Sequence, residues 1–498
     1  MGIPFVRITP MDTTLLGFIA YLIVVLVIGF VASKRNKTNE DWLLGGRSLN
    51  GYLLAFSERA SGESAWLLLG LPAAAMSVGL GESWTAIGSV TGIMVSWIFV
   101  AEKLRSASRD YGALTLPELL SAQYSNCRII LLVGALVSMF FYTFYVSSGF
   151  AAAGTILNAT FGMEKETGII IGALVVLTYT ILGGFVAVVW TDMIQALLMV
   201  TTLVILPVAA IMEMGGMSVF LSKFSALGTT EITSWTNGKS GMSALLFVLA
   251  GVSWGFGYVG QPHLLTRFMA MPSSEEVKKG FRVAASWVLP AFGGAVFMGL
   301  IATVAFSPEQ LNAAGILGEG ANSDKLMPFF AKYYVPAWLA GILICGAIAA
   351  MMSTADTQLL VISSAVCEDI YHKTLRQEPG EATLLKISRL MTSVVCFCAF
   401  YLAYTSQEII FQMVSYAWGG LGSTFGPLVI LSLYWKGLNR QGVIAGLLFG
   451  SLGTILWKNT ALQAIAPERF SIFLLNFVVV IAISLLTSSP GQNNKVEN

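Results

Sequence analysis

The chain is 498 residues long, 56% hydrophobic and only 11% charged, with a mean hydropathy of +0.75 and a formal net charge of +1. Soluble domains carry roughly 25% charged residues, so this composition describes an all-α polytopic membrane protein. The near-zero charge argues against a nucleic-acid partner, and five Cys and two His offer neither a disulfide framework nor metal-ligand spacing.

Apolar runs of about 20 residues predict thirteen spans. They fall near residues 13–32, 51–78, 83–106, 129–157, 167–183, 186–213, 242–266, 281–306, 336–367, 383–405, 409–435, 441–457 and 470–487. The first run is long enough to remain as a span, and it does not read as a cleaved signal peptide. A tight turn at Gly183-Gly184 must separate the fifth span from the sixth. Residues 115–124 (TLPELLSAQY) read as a short interfacial helix with Pro117 in its first turn. The longest outer loops, 214–241 and 307–335, have room for short helices, and the polar tail 488–498 reads as disordered.

Lys and Arg set the orientation. One set of loops holds Lys34, Arg35, Lys37, Arg47, Lys103, Arg105, Arg109, Arg128, Arg267, Lys278, Lys279, Arg282, Lys373, Arg376, Lys386, Arg389, Lys436 and Arg440, and the tail adds Lys495. That is about 19 against about 8 on the other side, which places the N-terminus outside and the C-terminus in the cytoplasm.

The second span is apolar at its ends only. Its middle, in LLAFSERASGESAWLLLGLPAAAMSV (53–78), holds Glu58, Arg59 and Glu63, with Ser61-Gly62 where a helix can unwind. Charge at bilayer depth costs at least a few kcal/mol and is kept for a solute or ion path. Irregular backbone there is tolerated only beside protein or a water-filled cavity. The seventh span is interrupted too: GVSWGFGYVGQ (251–261) is poor helix sequence closed by Pro262. Five spans separate the two breaks, an odd offset that reverses direction. Spans 2–6 (51–213) and 7–11 (242–435) therefore read as inverted repeats in a single transmembrane domain. One extra span precedes them and two follow, at 441–487.

Ser353 and Thr354 in the ninth span are neutral oxygens of the kind a small hard cation needs, once carbonyls freed in the second span face them. Asp356 lies one turn on and either tunes that site or pairs with Arg59. Arg59 cannot neutralise three carboxylates. It is expected to pair with Glu58 or Asp356, while Glu63 faces the cavity or titrates. Asp192, after Trp190 and Thr191, is either an interfacial carboxylate or part of an ion path. Trp254 and Tyr258 flank the second break and suit the body of a small solute, with Tyr145, Tyr416 and Trp418 as further aromatics. Half-helix N–H dipoles would meet a carboxylate. No nucleophile elbow, nucleotide-binding loop or metalloprotease motif is present, which disfavours an enzyme or an ATP-driven pump and leaves ion coupling.

At these residues the chain resembles the sodium/solute symporter family, and within it the bacterial proline-transporting members. The resemblance runs through LGGRSL (44–49), SAWLLLGLP (64–72), GESW (81–84), ALTLPE (113–118), GGFVAVVWTD (183–192), WGFGYVGQPH (254–263), AAMMST (349–354), SSAVCEDIY (363–371) and VSYAWGGLGSTFGP (414–427). It implies a LeuT-like fold with a five-plus-five inverted repeat and two broken helices. It also implies one Na⁺ on the carbonyls of Ala60, Glu63 and Ala350 and the hydroxyls of Ser353 and Thr354. The implied proline pocket contains Ser64, Tyr145, Trp254, Tyr258 and Pro262, and Asp192 lies on the Na⁺ exit path or at a second Na⁺. Proline symporters typically carry Asp-Met-Ser-Gly where this chain has Gly62-Glu63-Ser64-Ala65.

The expectation is a Na⁺-coupled symporter in the bacterial inner membrane. It takes up proline or a similar small solute by alternating access and works as a monomer in the lipid bilayer. Another amino acid, a small carboxylate or a sugar-like solute, with Na⁺ or with H⁺ through Glu63 or Asp356, is the alternative within transport. A substrate-sensing membrane receptor is the alternative outside it.

Overall fold

The computed structural model describes residues 11–33, 39–228, 231–375, 380–405 and 410–488. Lys34, Arg35, Lys37, Arg376, Lys495 and the tail beyond Ser488 lie outside the described residues. All regular structure among the described residues is helical, as apolar sequence in lipid requires, because helices satisfy their own backbone groups.

In order, the helices are α1 (Met11–Ser33), α2 (Asn39–Leu44), α3 (Gly51–Ala65), α4 (Leu71–Val78), α5 (Ser83–Val95), α6 (Ala101–Asp110), α7 (Leu116–Gln123), α8 (Arg128–Phe161), α9 (Lys165–Met214), α10 (Met217–Ser225), α11 (Gly241–Val252), α12 (Trp254–Gly257), α13 (Pro262–Ala270), α14 (Ser274–Ala305), α15 (Pro308–Ala313), α16 (Leu326–Tyr334), α17 (Ala337–Ser364), α18 (Glu381–Thr405), α19 (Ile410–Tyr434), α20 (Arg440–Lys458) and α21 (Glu468–Leu486). Local chemistry sets many of the ends. The Asn50 side chain caps α3 by accepting from the Leu53 N–H, Ser307 and Gln310 form a capping box on α15, and Gly162 ends α8 in the left-handed region.

A helix or broken helix stands at every expected span. Among the described residues nine helical stretches are long and apolar enough to cross a membrane, and one of them, Gly51–Asp110, contains two spans. The expected spans outside that set are α1, the first part of α9 and α19, whose middle holds the weakly apolar run Gly419–Thr424. The fifth and sixth spans meet at Gly184, where φ 63° and ψ −175° make the turn expected there. The long loops 214–241 and 307–335 carry α10, α15 and α16, as their length allows.

Helix α17 lies at the centre, with 78% of its most apolar window buried, whereas α21 is peripheral at 28%. Two expectations change. Residues 116–123 form α7, capped by the Thr115 hydroxyl, but nearly all of it is buried, so it is a packed element and not a helix lying in the interface. Arg267, counted above among the loop charges, is 1% exposed inside the bundle. Its loss from the loop count leaves the sign of the charge bias unchanged.

Candidate ion and substrate site

The second span breaks at Ser64, two residues after the expected point. Ser64 adopts φ 42° and ψ −167°, a π-type turn follows over Trp66–Gly70, and α4 resumes at Leu71. The Ser64 hydroxyl accepts from the Trp66 N–H at 3.3 Å and partly replaces the lost ladder. Gly62 itself keeps helical geometry, and the nearest atom to an added Cβ would be Leu264 Cδ2 at 3.2 Å. The seventh span ends at Gln261, which is extended, and Pro262 opens α13. Its glycines serve close approach: a Cβ on Gly257 would stand 1.8 Å from Trp418 Nε1 on α19.

The three charges of α3 form one cluster. Arg59 Nε donates to Glu58 Oε2 at 2.6 Å, Nη1 donates to Glu63 Oε1 at 2.7 Å, and Nη2 pairs with Glu58 Oε1. Trp97 Nε1 donates to Glu58 at 3.1 Å and the Tyr258 hydroxyl donates to Glu63 Oε2 at 3.0 Å. Arg59 and Glu63 are both 0% exposed. Arg59 thus takes Glu58, one of its two expected partners, together with Glu63. Asp356 points elsewhere, within electrostatic reach of Tyr21 and Arg267.

The hydroxyl pair of α17 meets the α3 backbone just before the break. Ser353 Oγ lies 3.0 Å from the carbonyls of both Ala60 and Ala350. Thr354 Oγ1 lies 3.0 Å from the Ser61 carbonyl and 3.2 Å from that of Ala350. Ala60, Ala350, Ser353 and Thr354 therefore come together. The Glu63 carbonyl accepts the Trp66 N–H, and the Ser61 carbonyl faces the hydroxyls. These neutral oxygens on two elements are the donor set a small monovalent cation takes.

One turn away, Asp192 of α9 is 0% exposed and faces this cluster. Its Oδ2 accepts from Ser57 at 2.6 Å, Ser61 at 3.1 Å and Arg267 Nη2 at 3.2 Å. Asp192 is thus an interior carboxylate, not an interfacial one. His263 Nε2 approaches the Ser61 carbonyl at 3.3 Å, and the Tyr142 hydroxyl accepts from the His263 N–H at 2.9 Å.

Aromatic residues wall the other side. Trp66 and Trp254 stack with centroids 4.7 Å apart, Phe411 approaches Trp254 at 4.9 Å, and Tyr258 meets Trp418 edge-on at 4.6 Å. The buried indole N–H groups of Trp66 and Trp254 have no hydrogen-bond partner among the described residues. Tyr145 lies 6.4 Å from Trp418 and 6.2 Å from His263, ring to ring. Tyr416 instead packs among Phe141 and Phe144. Pro262 and Arg267 line a narrow cleft on the side of the molecule that carries α7.

Sequence reasoning missed Ser57, Trp66, Trp97, Thr357 and Arg267, and it named Ser61 for its place at the break, not for its hydroxyl. Spacing held a signal for Ser57, which lies four residues before Ser61 on the face that meets Asp192.

A helical bundle with two interrupted helices, a cation-sized cluster of neutral oxygens at one break and an aromatic wall at the other defines an ion-coupled secondary transporter. A profile of the Sodium:solute symporter family matches residues 42–450. The chain is 36% identical over 490 residues to the sodium/proline symporter of Escherichia coli (strain K12), covering 97% of this chain and 94% of that one. It is 33% identical over 469 residues to the high-affinity proline transporter PutP of Bacillus subtilis (strain 168), covering 94% and 97%. Its fold matches that of a Na⁺-coupled sialic acid symporter solved substrate-bound and outward-open, with a TM-score of 0.77 at 22% identity over 95% of this chain and 97% of the other. The chain belongs to the sodium:solute symporter family. It is a Na⁺-coupled transporter with the LeuT-like architecture, and not an enzyme.

Proposed function

We propose that the chain takes up L-proline with Na⁺ across the bacterial inner membrane by alternating access, acting as a monomer. The observation that carries Na⁺ coupling is the approach of the Ser353 and Thr354 hydroxyls to the Ala60 and Ser61 carbonyls at 3.0 Å. Na⁺ would be held there, with Ala350, and the Glu63 carbonyl would join when the Trp66 N–H releases it. The proline-transporting relatives support the substrate, and so does the pocket. Ser64, Tyr145, Trp254, Tyr258 and Pro262 ring the two breaks, and the unpartnered indole N–H groups suit a carboxylate. Residues 51–213 and 242–435 serve as the two inverted repeats, with 13–32 and 441–487 outside them. The N-terminus is outside and the C-terminus cytoplasmic.

One observation favours a second reading of the substrate. Glu63 places a carboxylate on Tyr258, inside the pocket, where proline-transporting members typically carry Met. A different amino acid or small carboxylate, or H⁺ coupling through Glu63, would fit that group. Uptake into proteoliposomes decides between the readings. Proline entry driven by an inward Na⁺ gradient is the expected result. Proline entry that ignores Na⁺, or faster Na⁺-driven entry of another solute in the panel, overturns the first reading.

A further inference from the structure

Arg469 is the second residue of α21, a span outside both proposed repeats, and it reaches into the aromatic wall. Its Nε donates to Ser253 Oγ at 3.1 Å, Nη2 to the Ala250 carbonyl at 3.1 Å and Nη1 to Ser415 Oγ. Its guanidinium lies 5.0 Å from the Trp254 ring centroid. Ala250 lies in the last turn of α11 and Ser253 follows it, just before Trp254, whereas Ser415 belongs to α19. One side chain thus ties together the two elements that carry Trp254 and Phe411. Its acceptors are all neutral oxygens, and the carboxylates of Glu468 and Glu82 lie within electrostatic reach.

The approach depends on a glycine. Gly419 of α19 has no side chain where α21 begins: an added Cβ would stand 3.1 Å from Arg469 Cβ and 3.4 Å from Glu468 Oε1. Phe411, Ser415 and Trp418 are spaced four and three apart, on one face of α19. Phe411 packs on Trp254 at 4.9 Å and on Trp66 at 6.2 Å, and Trp418 Nε1 donates to the Trp254 carbonyl at 3.0 Å. Trp66, Trp254 and Phe411 thereby shut one side of the two breaks. Three spans precede α7 and twelve precede Arg469, so the cleft beside α7 and this guanidinium stand on opposite sides of the membrane. In the orientation proposed above, the shut side is the outer one.

We propose that Arg469 is the latch of the outer lid: by bridging α11 and α19 across Trp254 it holds Trp254 and Phe411 together over the solute pocket, and solute enters from outside only when that bridge lets go. The proposal rests on the alternating-access reading above and deepens it. Parting Trp254 from Phe411 means parting Ser253 from Ser415. A guanidinium suits the task because its planar fork holds several acceptors at once and stacks on an aromatic face. A bond to a neutral hydroxyl breaks without stranding a buried carboxylate, and Glu468 and Glu82 remain to face the released charge. Arg469 is a positioning residue, because it touches Trp254 and not the solute. Its grip sets the fraction of the population open outward, and the apparent affinity for external solute scales with that fraction.

The test is access to the pocket from outside, in the full chain with its five native Cys changed to Ala and Ser64→Cys as the reporter. A membrane-impermeant maleimide is applied to intact cells. Arg469→Gln should label about fivefold faster than the parent, and Ser415→Ala should label faster too. Both changes cut the same bridge, so the double variant should label no faster than Arg469→Gln alone. Unchanged or slower labelling in Arg469→Gln, or increases that multiply in the double variant, overturns the latch. If Arg469→Gln fails to insert, Ser415→Ala, which removes one neutral hydroxyl, decides by itself. The second readout is L-proline uptake by cells carrying the native Ser64. The half-saturating external concentration should fall about threefold in Arg469→Gln, because more of the chain faces outward. A merely structural role predicts the opposite, since a loosened wall binds solute more weakly; a value that rises or stays the same overturns the latch. A parent that takes up no proline with Na⁺ overturns the transport reading on which the proposal rests, a distinct outcome, and the labelling, which needs no solute, still decides the latch.

Discussion

The Tyr258 hydroxyl donates to Glu63 Oε2 at 3.0 Å, a hydrogen bond that joins the two interrupted spans beside the approach of His263 Nε2 to the Ser61 carbonyl. Glu63 lies next to the break at Ser64, and Tyr258 lies in the last turn before the break at Gln261. In alternating access the halves of broken helices shift against the rest of the bundle. A bond between the two breaks therefore reports whether they move together. Glu63 is also held by Arg59, which leaves each of its oxygens with one donor.

Replacing Tyr258 with Phe keeps the edge-on contact with Trp418 and strips Glu63 of one donor. Leaving a buried acceptor unsatisfied costs about 1–3 kcal/mol. Tyr258→Phe should therefore lower solute affinity at saturating Na⁺ by about tenfold. Glu63→Gln, which keeps the shape and removes the charge, should insert normally and impair Na⁺-driven uptake. Parental uptake by Glu63→Gln would remove this carboxylate from the mechanism.

The α17 hydroxyls give a cleaner test of the ion site. Ser353→Ala/Thr354→Ala removes two candidate ligands and no charge. Each hydroxyl bonds back to Ala350 as well as across to α3, and intrahelical bonds of that kind are readily lost without unfolding. The concentration of Na⁺ for half-maximal uptake should rise at least about tenfold, while the thermal midpoint in detergent shifts by a few degrees at most. An unchanged Na⁺ dependence in correctly inserted protein places the ion elsewhere.

Arg59 supplies a third test, of pairing. Removing one member of a buried pair costs about 3–5 kcal/mol, because the survivor is left uncompensated. Arg59→Ala should be severely destabilising, and less so when Glu58→Ala or Glu63→Ala accompanies it. Double-mutant cycles read by thermal stability should give coupling with Glu58 and with Glu63, and near-additivity with Asp356. Coupling to Asp356 of similar size would contradict the geometry.

Most of the frame and part of the site were legible in the sequence, for identifiable reasons. Hydropathy marks spans because lipid leaves the backbone no alternative, and Gly183-Gly184 marks a turn because only glycine adopts φ 63° freely. Charges inside a span marked α3, and Ser353-Thr354 could be placed opposite it by the repeat. The break itself was not legible. Ser61-Gly62 has the weaker helix propensity, yet tertiary packing moved the kink to Ser64, where a hydroxyl can accept the freed Trp66 N–H. Arg267 was invisible for a different reason. An Arg a few residues past a Pro-closed run looks like a loop charge, and only the third dimension brings Ser57, Ser61, Asp192 and Thr357 around it. The sequence of α7 is amphipathic enough for an interface, and its burial depends on partners such as Asp369, which accepts from the Thr115 hydroxyl at 2.7 Å.

The last prediction concerns pH and lies outside the spans. Asp324 sits in the short turn Ser323–Lys325 before α16 and is 1% exposed. Burial pushes its carboxyl up from the usual 3.8 to about 6, against the opposing effects of the Ile410 N–H, 3.4 Å from Oδ2, and the more distant Lys165. Between those two values the folded chain keeps a proton that the unfolded chain has released. The unfolded state then binds fewer protons, so stability falls as pH rises, from about 4 until about 6, and is flat above. The full loss is about 3 kcal/mol, at 1.36 kcal/mol for each tenfold change in proton affinity. Asp324→Asn cannot ionise and should lack this decline. The thermal midpoint of the parent in detergent should therefore drop relative to that of Asp324→Asn between pH 4.5 and 7, and the gap should stay constant from pH 7 to 8. Parallel curves over the whole range would mean that Asp324 is ionised in the folded chain at pH 4.5, with water or Lys165 compensating its charge.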